Sequence, residues 1–204
     1  MKSSHLIGVA TGALATLKAI QWWQGYSVDP TGGLGLFLPF VYLIIAVIPA
    51  LVAAIAIVRM IRHTDPKASG LTFLSAALLI LGVQWLEPSF MMAGFKARMS
   101  QFDASEFQAL ANSMISAAGS GPRGDLLLDP ALAKTLADAH PILRVTQTRP
   151  KGYANSQGVQ IRWGGGLTGA FAVDVWNGKT EPPVSADAID PTPLYSNVRL
   201  VWIF

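Results

Sequence analysis

The sequence predicts a membrane α-helical region of two or three transmembrane helices followed by a small α+β extracytoplasmic domain, with two helices packed on a mainly antiparallel sheet of about four strands. Three observations carry that prediction. Residues 30–58, PTGGLGLFLPFVYLIIAVIPALVAAIAIV, contain no charged side chain, and the portion from Phe37 to Val58 is long enough as a helix, at about 1.5 Å per residue, to cross a hydrocarbon core of about 30 Å. The chain of 204 residues is 51% hydrophobic and only 13% charged, against about 25% charged in an ordinary domain. Beyond Ile142 the apolar period changes from helical to alternating, as in strands with one buried face.

The membrane region is expected over residues 1–92, with helices at about 6–23, 37–58 and 69–86. In the first, an apolar run from Leu6 to Leu17 precedes Lys18, and Trp22, Trp23 and Tyr26 are placed to form an aromatic belt toward which Lys18 snorkels. A cleaved signal sequence ending near Ala13 and Ala15 is the competing reading, with a short apolar region. Gly8 and Gly12 make a GxxxG that Thr16 extends by one turn, a spacing at which two helices approach closely. Pro49 falls in the middle of the second helix and is expected to kink it.

Residues 59–68 carry Arg59, Arg62, Lys67 and His63 against Asp65 alone. By the positive-inside rule this basic loop is cytoplasmic. Alternation then places residues 93–204 outside, giving a bacterial inner-membrane type of protein with a periplasmic C-terminal domain. Residues 1–67 hold five basic and two acidic side chains, whereas residues 87–204 balance ten against ten. The basic excess thus belongs to the membrane-proximal part, and no concentrated basic face points to nucleic acid.

Phe90, Met91, Met92, Phe95, Met99 and Phe102 recur at roughly helical spacing, as in a helix lying on or leaving the headgroup region. Asp103 followed by Glu106 reads as a capping box, with Phe102 and Phe107 as its hydrophobic staple. Phe107, Leu110, Ala111, Met114, Ile115 and Ala118 form the apolar stripe of the helix so started, and Gly119 stops it. Ser120 to Gly124 is expected as a flexible link. Asp129 and Pro130 open a second helix that runs to Ala139. Four strands follow, marked by Leu143 and Val145, by Val159, Ile161 and Trp163, by Phe171, Val173 and Val175, and by Val198, Leu200, Trp202 and Phe204. Residues 181–193, rich in proline, are expected as a long loop.

Chemical signals are sparse. Without cysteine there is no disulfide, thiolate nucleophile or cysteine-ligated metal. His5, His63 and His140 are too scattered for a multi-histidine site, and no EF-hand spacing is present. GGGLTG at 164–169 lacks the ending of a phosphate-binding loop and lies between strands, so it reads as a turn. His140 is the outer domain's one histidine, with Asp138 or Asp174 as conceivable orienters, but no GxSxG elbow accompanies it. No cofactor, metal or catalytic residue is therefore assigned. Arg149, Lys151, Tyr153 and Asn155, in the polar segment RPKGYANSQG, are the candidate residues for binding an anionic ligand, a glycan or a partner.

The function this predicts is a non-catalytic membrane-anchored accessory or scaffold subunit that binds partners through its α+β domain, with the lipid bilayer and other membrane or envelope proteins as its partners. A membrane-tethered sensor or small-ligand binder is the first alternative, and a hydrolase acting on envelope material the second.

Overall fold

Three helices open the chain: α1 (Ser3–Ser27), α2 (Leu38–Ile61) and α3 (Pro66–Trp85). The computed structural model describes residues 3–28, 38–62, 66–85, 89–118, 124–126, 130–145, 151–155, 158–164, 169–176 and 188–203. Two compact units are present, one formed by Met1–Gln21 with Gly33–Phe90, the other by Trp22–Gly32 with Met91–Phe204.

The helical unit packs small side chains inward. Leu6 and Ala10 of α1, Val52 of α2 and Ala76 of α3 make its core cluster, and Leu14 and Leu17 continue the buried face of α1. The larger side chains point outward: Ile44, Val47, Leu51, Ile55 and Val58 on α2, and Leu71, Leu74 and Leu78 on α3, are exposed. On α2 the inward positions Pro49, Val52 and Ala56 are buried and interleave at helical spacing with the outward ones. Pro49 thus lies inside α2 without ending it.

Among the described residues no helix is long and apolar enough to cross a membrane. This overturns the transmembrane helices expected at 6–23, 37–58 and 69–86, and with them the inner-membrane localisation, the cytoplasmic loop at 59–68 and the periplasmic placement of the second domain. In α1 the run from Leu6 to Leu17 covers about 18 Å of a roughly 30 Å core. Lys18 does not snorkel outward; it is buried, its Nζ donating to Gln21 Oε1 at 2.9 Å and lying 5.1 Å from the Phe90 ring centre. The first turns of α3 carry Lys67, Ser69, Thr72 and Ser75, with the Thr72 hydroxyl donating to the Ala68 carbonyl at 2.7 Å.

The second unit is α+β. Its helices are α4 (Ser89–Met99), α5 (Ala104–Ala118) and α6 (Pro130–Ala139), the last followed by a 3₁₀ turn at Pro141–Arg144. Its strands are β1 (Gly124–Leu126), β2 (Lys151–Asn155), β3 (Gly158–Gly164), β4 (Ala170–Trp176), β5 (Ala188–Tyr195) and β6 (Val198–Ile203). They form one sheet in the order β1-β2-β3-β4-β6-β5, every neighbouring pair antiparallel. Five strands have five to eight residues, and β1, with three, closes one edge.

Local signals place α5 as expected. The Asp103 backbone N–H donates to Glu106 Oε2 at 2.8 Å, and the Phe102 and Phe107 rings meet edge-on at 6.4 Å. The β5–β6 hairpin is tied to this corner twice, through the Tyr195 hydroxyl on the Phe102 carbonyl (2.7 Å) and Asn197 Nδ2 on Gln108 Oε1 (2.6 Å). Three expectations give way here. Leu143 and Val145 belong to the 3₁₀ turn and the residue after it, because Pro141 starts a helical turn that buries Ile142 and Leu143. The proline-rich loop ends in a strand: Pro191 and Pro193 sit in β5 at the sheet edge, where a missing N–H costs no ladder bond. The Met- and Phe-rich segment is the core helix α4, with Met92, Phe95 and Met99 buried, so it does not lie on a headgroup layer.

The end of α1 crosses α4 at backbone contact. A Cβ at Gly25 would lie 2.7 Å from the Met91 carbonyl carbon and 2.8 Å from Phe95 N, and one at Gly94 would lie 2.8 Å from Tyr26 N and 2.9 Å from the Trp22 carbonyl carbon. The Trp22 and Tyr26 rings stack at 5.0 Å, the Tyr26 hydroxyl accepts a hydrogen bond from Gln101 Nε2 at 2.9 Å, and the Arg98 guanidinium lies 5.6 Å from its ring. Tyr26 is thus held by Trp22, Gln101 and Arg98, while Trp22 and Trp23 keep exposed ring surface. By contrast, a Cβ at Gly8 or Gly12 meets nothing within 4 Å. Gly25→Ala and Gly94→Ala are accordingly expected to destabilise the protein by about 1–3 kcal/mol or more through overpacking. Gly8→Ala and Gly12→Ala are expected to be neutral or to stabilise by up to about 1 kcal/mol from helix propensity. Urea unfolding of the four variants distinguishes the two pairs.

Candidate functional site

Alternation gives the sheet two unlike faces. Val159, Ile161 and Trp163 of β3, Phe171, Val173 and Val175 of β4, and Val198, Leu200 and Trp202 of β6 belong to the main core beneath α4 and α5. The intervening positions, Gln160 and Arg162, Ala172 and Asp174, and Arg199 and Val201, share the other face. There Gln160 opposes Asp174, and Asp174 opposes Arg199.

This register builds a continuous polar chain. Arg162 Nε donates to Gln160 Oε1, Gln160 Nε2 donates to Asp174 Oδ1 at 2.6 Å, and Arg199 donates to Asp174 Oδ2 from Nε (3.2 Å) and Nη2 (2.7 Å). The Asp174 and Arg199 side chains are only 10% and 4% exposed, and the Arg199 guanidinium lies 5.7 Å from the Trp176 ring centre. Taking both charges out of water is costly. Arg199 offsets that cost with two donations to the single oxygen Oδ2, and the amide of Gln160 fills Oδ1. Gln160 in turn is fixed at both ends of its amide, which orients Arg162.

The residues expected to bind a ligand or partner join this face. Residues 151–155 form β2 instead of a loop, with Lys151 opposite Arg162, Tyr153 opposite Gln160 and Asn155 opposite Gly158. Directly opposed residues of antiparallel strands share a face, so Lys151, Tyr153 and Asn155 occupy the side that holds Gln160, Arg162, Asp174 and Arg199. Asp125 of β1 opposes Tyr153 and extends the row. Arg149 lies outside the described residues. Gln160, Arg162 and Arg199 escaped sequence reasoning as site residues, and Asp174 was named only as a conceivable orienter of His140, although one signal was available. Asp174 and Arg199 each interrupt a strand that is otherwise apolar, AFAVDVW and VRLVWI.

A second polar contact joins α5 to the end of α6. His140 Nε2 lies 3.0 Å from Ser113 Oγ, while the Ser113 hydroxyl donates to the Ala109 carbonyl at 2.9 Å. The Ser113 hydroxyl thus has two partners within reach, the Ala109 carbonyl and the imidazole, and the direction of the second bond follows the tautomer of His140. Neither Gly8 nor Gly12 contributes to either cluster, and among the described residues no group of three acidic or histidine side chains is positioned to hold a metal ion.

Burial lowers the His140 pKa below its ordinary 6.5 by penalising the charged imidazolium. A group whose pKa is depressed on folding stabilises the fold fully above its unfolded value and loses that contribution as pH falls through the folded one. Stability is thus expected to decline on acidification below about pH 6.5, and His140→Gln, which retains an amide donor, is expected to flatten the decline. Thermal unfolding of the two proteins between pH 7.5 and pH 5 measures it.

No protein-family model matches the chain, and no curated protein or solved structure shows significant similarity to it.

Proposed function

We propose that the protein is a non-catalytic, partner-binding component of a larger protein assembly, its helical unit seated against a partner and its α+β unit presenting the polar sheet face. The single observation that carries this reading is the outward apolar surface of α2 and α3. Leu51 is 56% exposed, Ile44 66%, Leu71 62% and Leu78 60%. Isolated exposed leucines need no explanation, but a contiguous apolar surface on a folded unit marks an interaction site. On α2 the exposed positions 44, 47, 51, 55 and 58 recur at intervals of three and four, the spacing by which a helix docks against another apolar helix or groove.

The hydrolase alternative would rest on His140, whose Nε2 lies 3.0 Å from Ser113 Oγ, with no GxSxG elbow beside it. The small-ligand alternative draws its support from the polar sheet face and is compatible with a partner-binding role.

The test is the assembly state of the full chain, measured by size exclusion with light scattering and by protein crosslinking in aqueous buffer. A complex larger than one chain is expected. Leu51→Glu combined with Leu74→Glu is expected to dissociate it while changing unfolding stability by no more than about 0.5 kcal/mol per site, as for ordinary surface substitutions. A dispersed monomer with no associated protein would overturn the proposal, as would association confined to lipid vesicles.

A further inference from the structure

We propose that the crossing of α1 and α4 carries a docking site for an acidic segment of a partner protein. Arg98 takes a carboxylate there, and Trp22 and Trp23 cover the apolar side chains next to it. The inference does not rest on the apolar surface of α2 and α3. Backbone contact at Gly25 and Gly94 brings Tyr26 onto Arg98 of α4 and Gln101 just beyond it. Trp22 stacks on Tyr26 at 5.0 Å, and Trp23 lies 6.1 Å from the same ring. Yet the two indoles remain 37% and 57% exposed.

Arg98 has donors to spare. Its Nη1 donates to Gln101 Oε1 at 3.0 Å, its guanidinium lies 5.6 Å from the Tyr26 ring centre, and its Nε is buried without an acceptor. Among the described residues no carboxylate pairs with it. Of the acids that follow it in the chain, Glu106 is turned to the Asp103 backbone N–H, and Asp103 forms no ion pair with it. A guanidinium held by an amide and an aromatic ring loses little freedom on binding, and its planar fork matches the two oxygens of a carboxylate.

The chemistry of the patch selects its occupant. Trp, Tyr and Arg are the residue types that concentrate at the energetic centres of protein interfaces. A free phosphate or acetate ion would leave both indoles uncovered. Nucleic acid carries a charge at every nucleotide and is held by a row of cations along a groove. Here one guanidinium stands among aromatic rings, and Lys96 lies about 200° around α4 from it. A single acidic side chain flanked by apolar ones meets both parts of the site.

The experiment records tryptophan emission from the full chain during titration with the capped peptide Leu-Glu-Leu, its counterpart Leu-Gln-Leu, and a decathymidine oligonucleotide. The acidic peptide is expected to shift the emission saturably to shorter wavelength as its leucines cover the indoles. It is expected to bind at least about tenfold more tightly than the neutral one, because only the carboxylate makes charged hydrogen bonds to Arg98. Arg98→Gln is expected to bind the two peptides equally. Trp23→Ala is expected to weaken both and to keep their ratio. Each variant is compared with itself across two peptides, so a loss of stability does not imitate either result. The proposal is overturned if the parent binds neither peptide or both alike, or if Arg98→Gln keeps the preference. It is overturned equally if the oligonucleotide shifts the emission and the acidic peptide does not.

Discussion

Phe95 holds α4 against the central strands, and the arrangement of the α+β unit depends on that contact. Its ring centre lies 4.8 Å from that of Phe171 on β4 and 6.3 Å from that of Trp163 on β3, and Phe171 meets Trp202 of β6 edge-on at 4.7 Å. Phe95, Phe171 and Trp163 are fully buried. Aromatic pairs in tilted and edge-on geometries contribute about 0.5–1.5 kcal/mol beyond the burial of their area. The next residue back, Gly94, faces the other way and lets the end of α1 approach α4 at backbone distance. A bulky residue and a minimal one, adjacent in sequence, thus pack α4 on both sides.

With one face filled by aromatics, the other face of the same strands is free to carry charge. Asp174 and Arg199 are placed opposite each other by the β4–β6 register, and a slip of one residue would turn both into the apolar core. The ion pair therefore penalises wrong registers strongly, whatever its net contribution to stability. The same register also aligns Gln160 with Asp174 and brings Lys151 beside Arg162, so the core and the candidate site have one geometric origin.

Features set by neighbours in sequence were legible. The capping box at Asp103 and Glu106, the staple of Phe102 and Phe107, the start of α6 at Pro130 and the alternation of β3, β4 and β6 all depend on residues a few positions apart. Features set by distant partners were not. β5 contains Pro191 and Pro193 and reads as a loop until its edge position is known. β2 and β1 are short, carry glycine and polar residues, and become strands only by pairing with β3. The candidate site was half legible: the polar run containing Lys151, Tyr153 and Asn155 stood out, but its companions Arg162, Asp174 and Arg199 join it only through the register. The same limit explains the close crossing of α1 and α4. Gly8 and Gly12 show the recognisable spacing, whereas Gly25 and Gly94 meet across a separation that no local pattern records. The apolar composition of α2 and α3 led to membrane spans because hydropathy reports what a helix avoids, which is water, without saying what covers it.

Unfolding of Phe95→Ala in urea tests the central contact directly. Removing a fully buried phenylalanine ring from an aromatic cluster is expected to cost about 3–5 kcal/mol, seen as a lower midpoint and a weakened near-ultraviolet signal from Trp163 and Trp202. A variant that unfolds at the parent midpoint, with its aromatic signal intact, would show that α4 is not held to the sheet by Phe95 and would contradict this account of the fold.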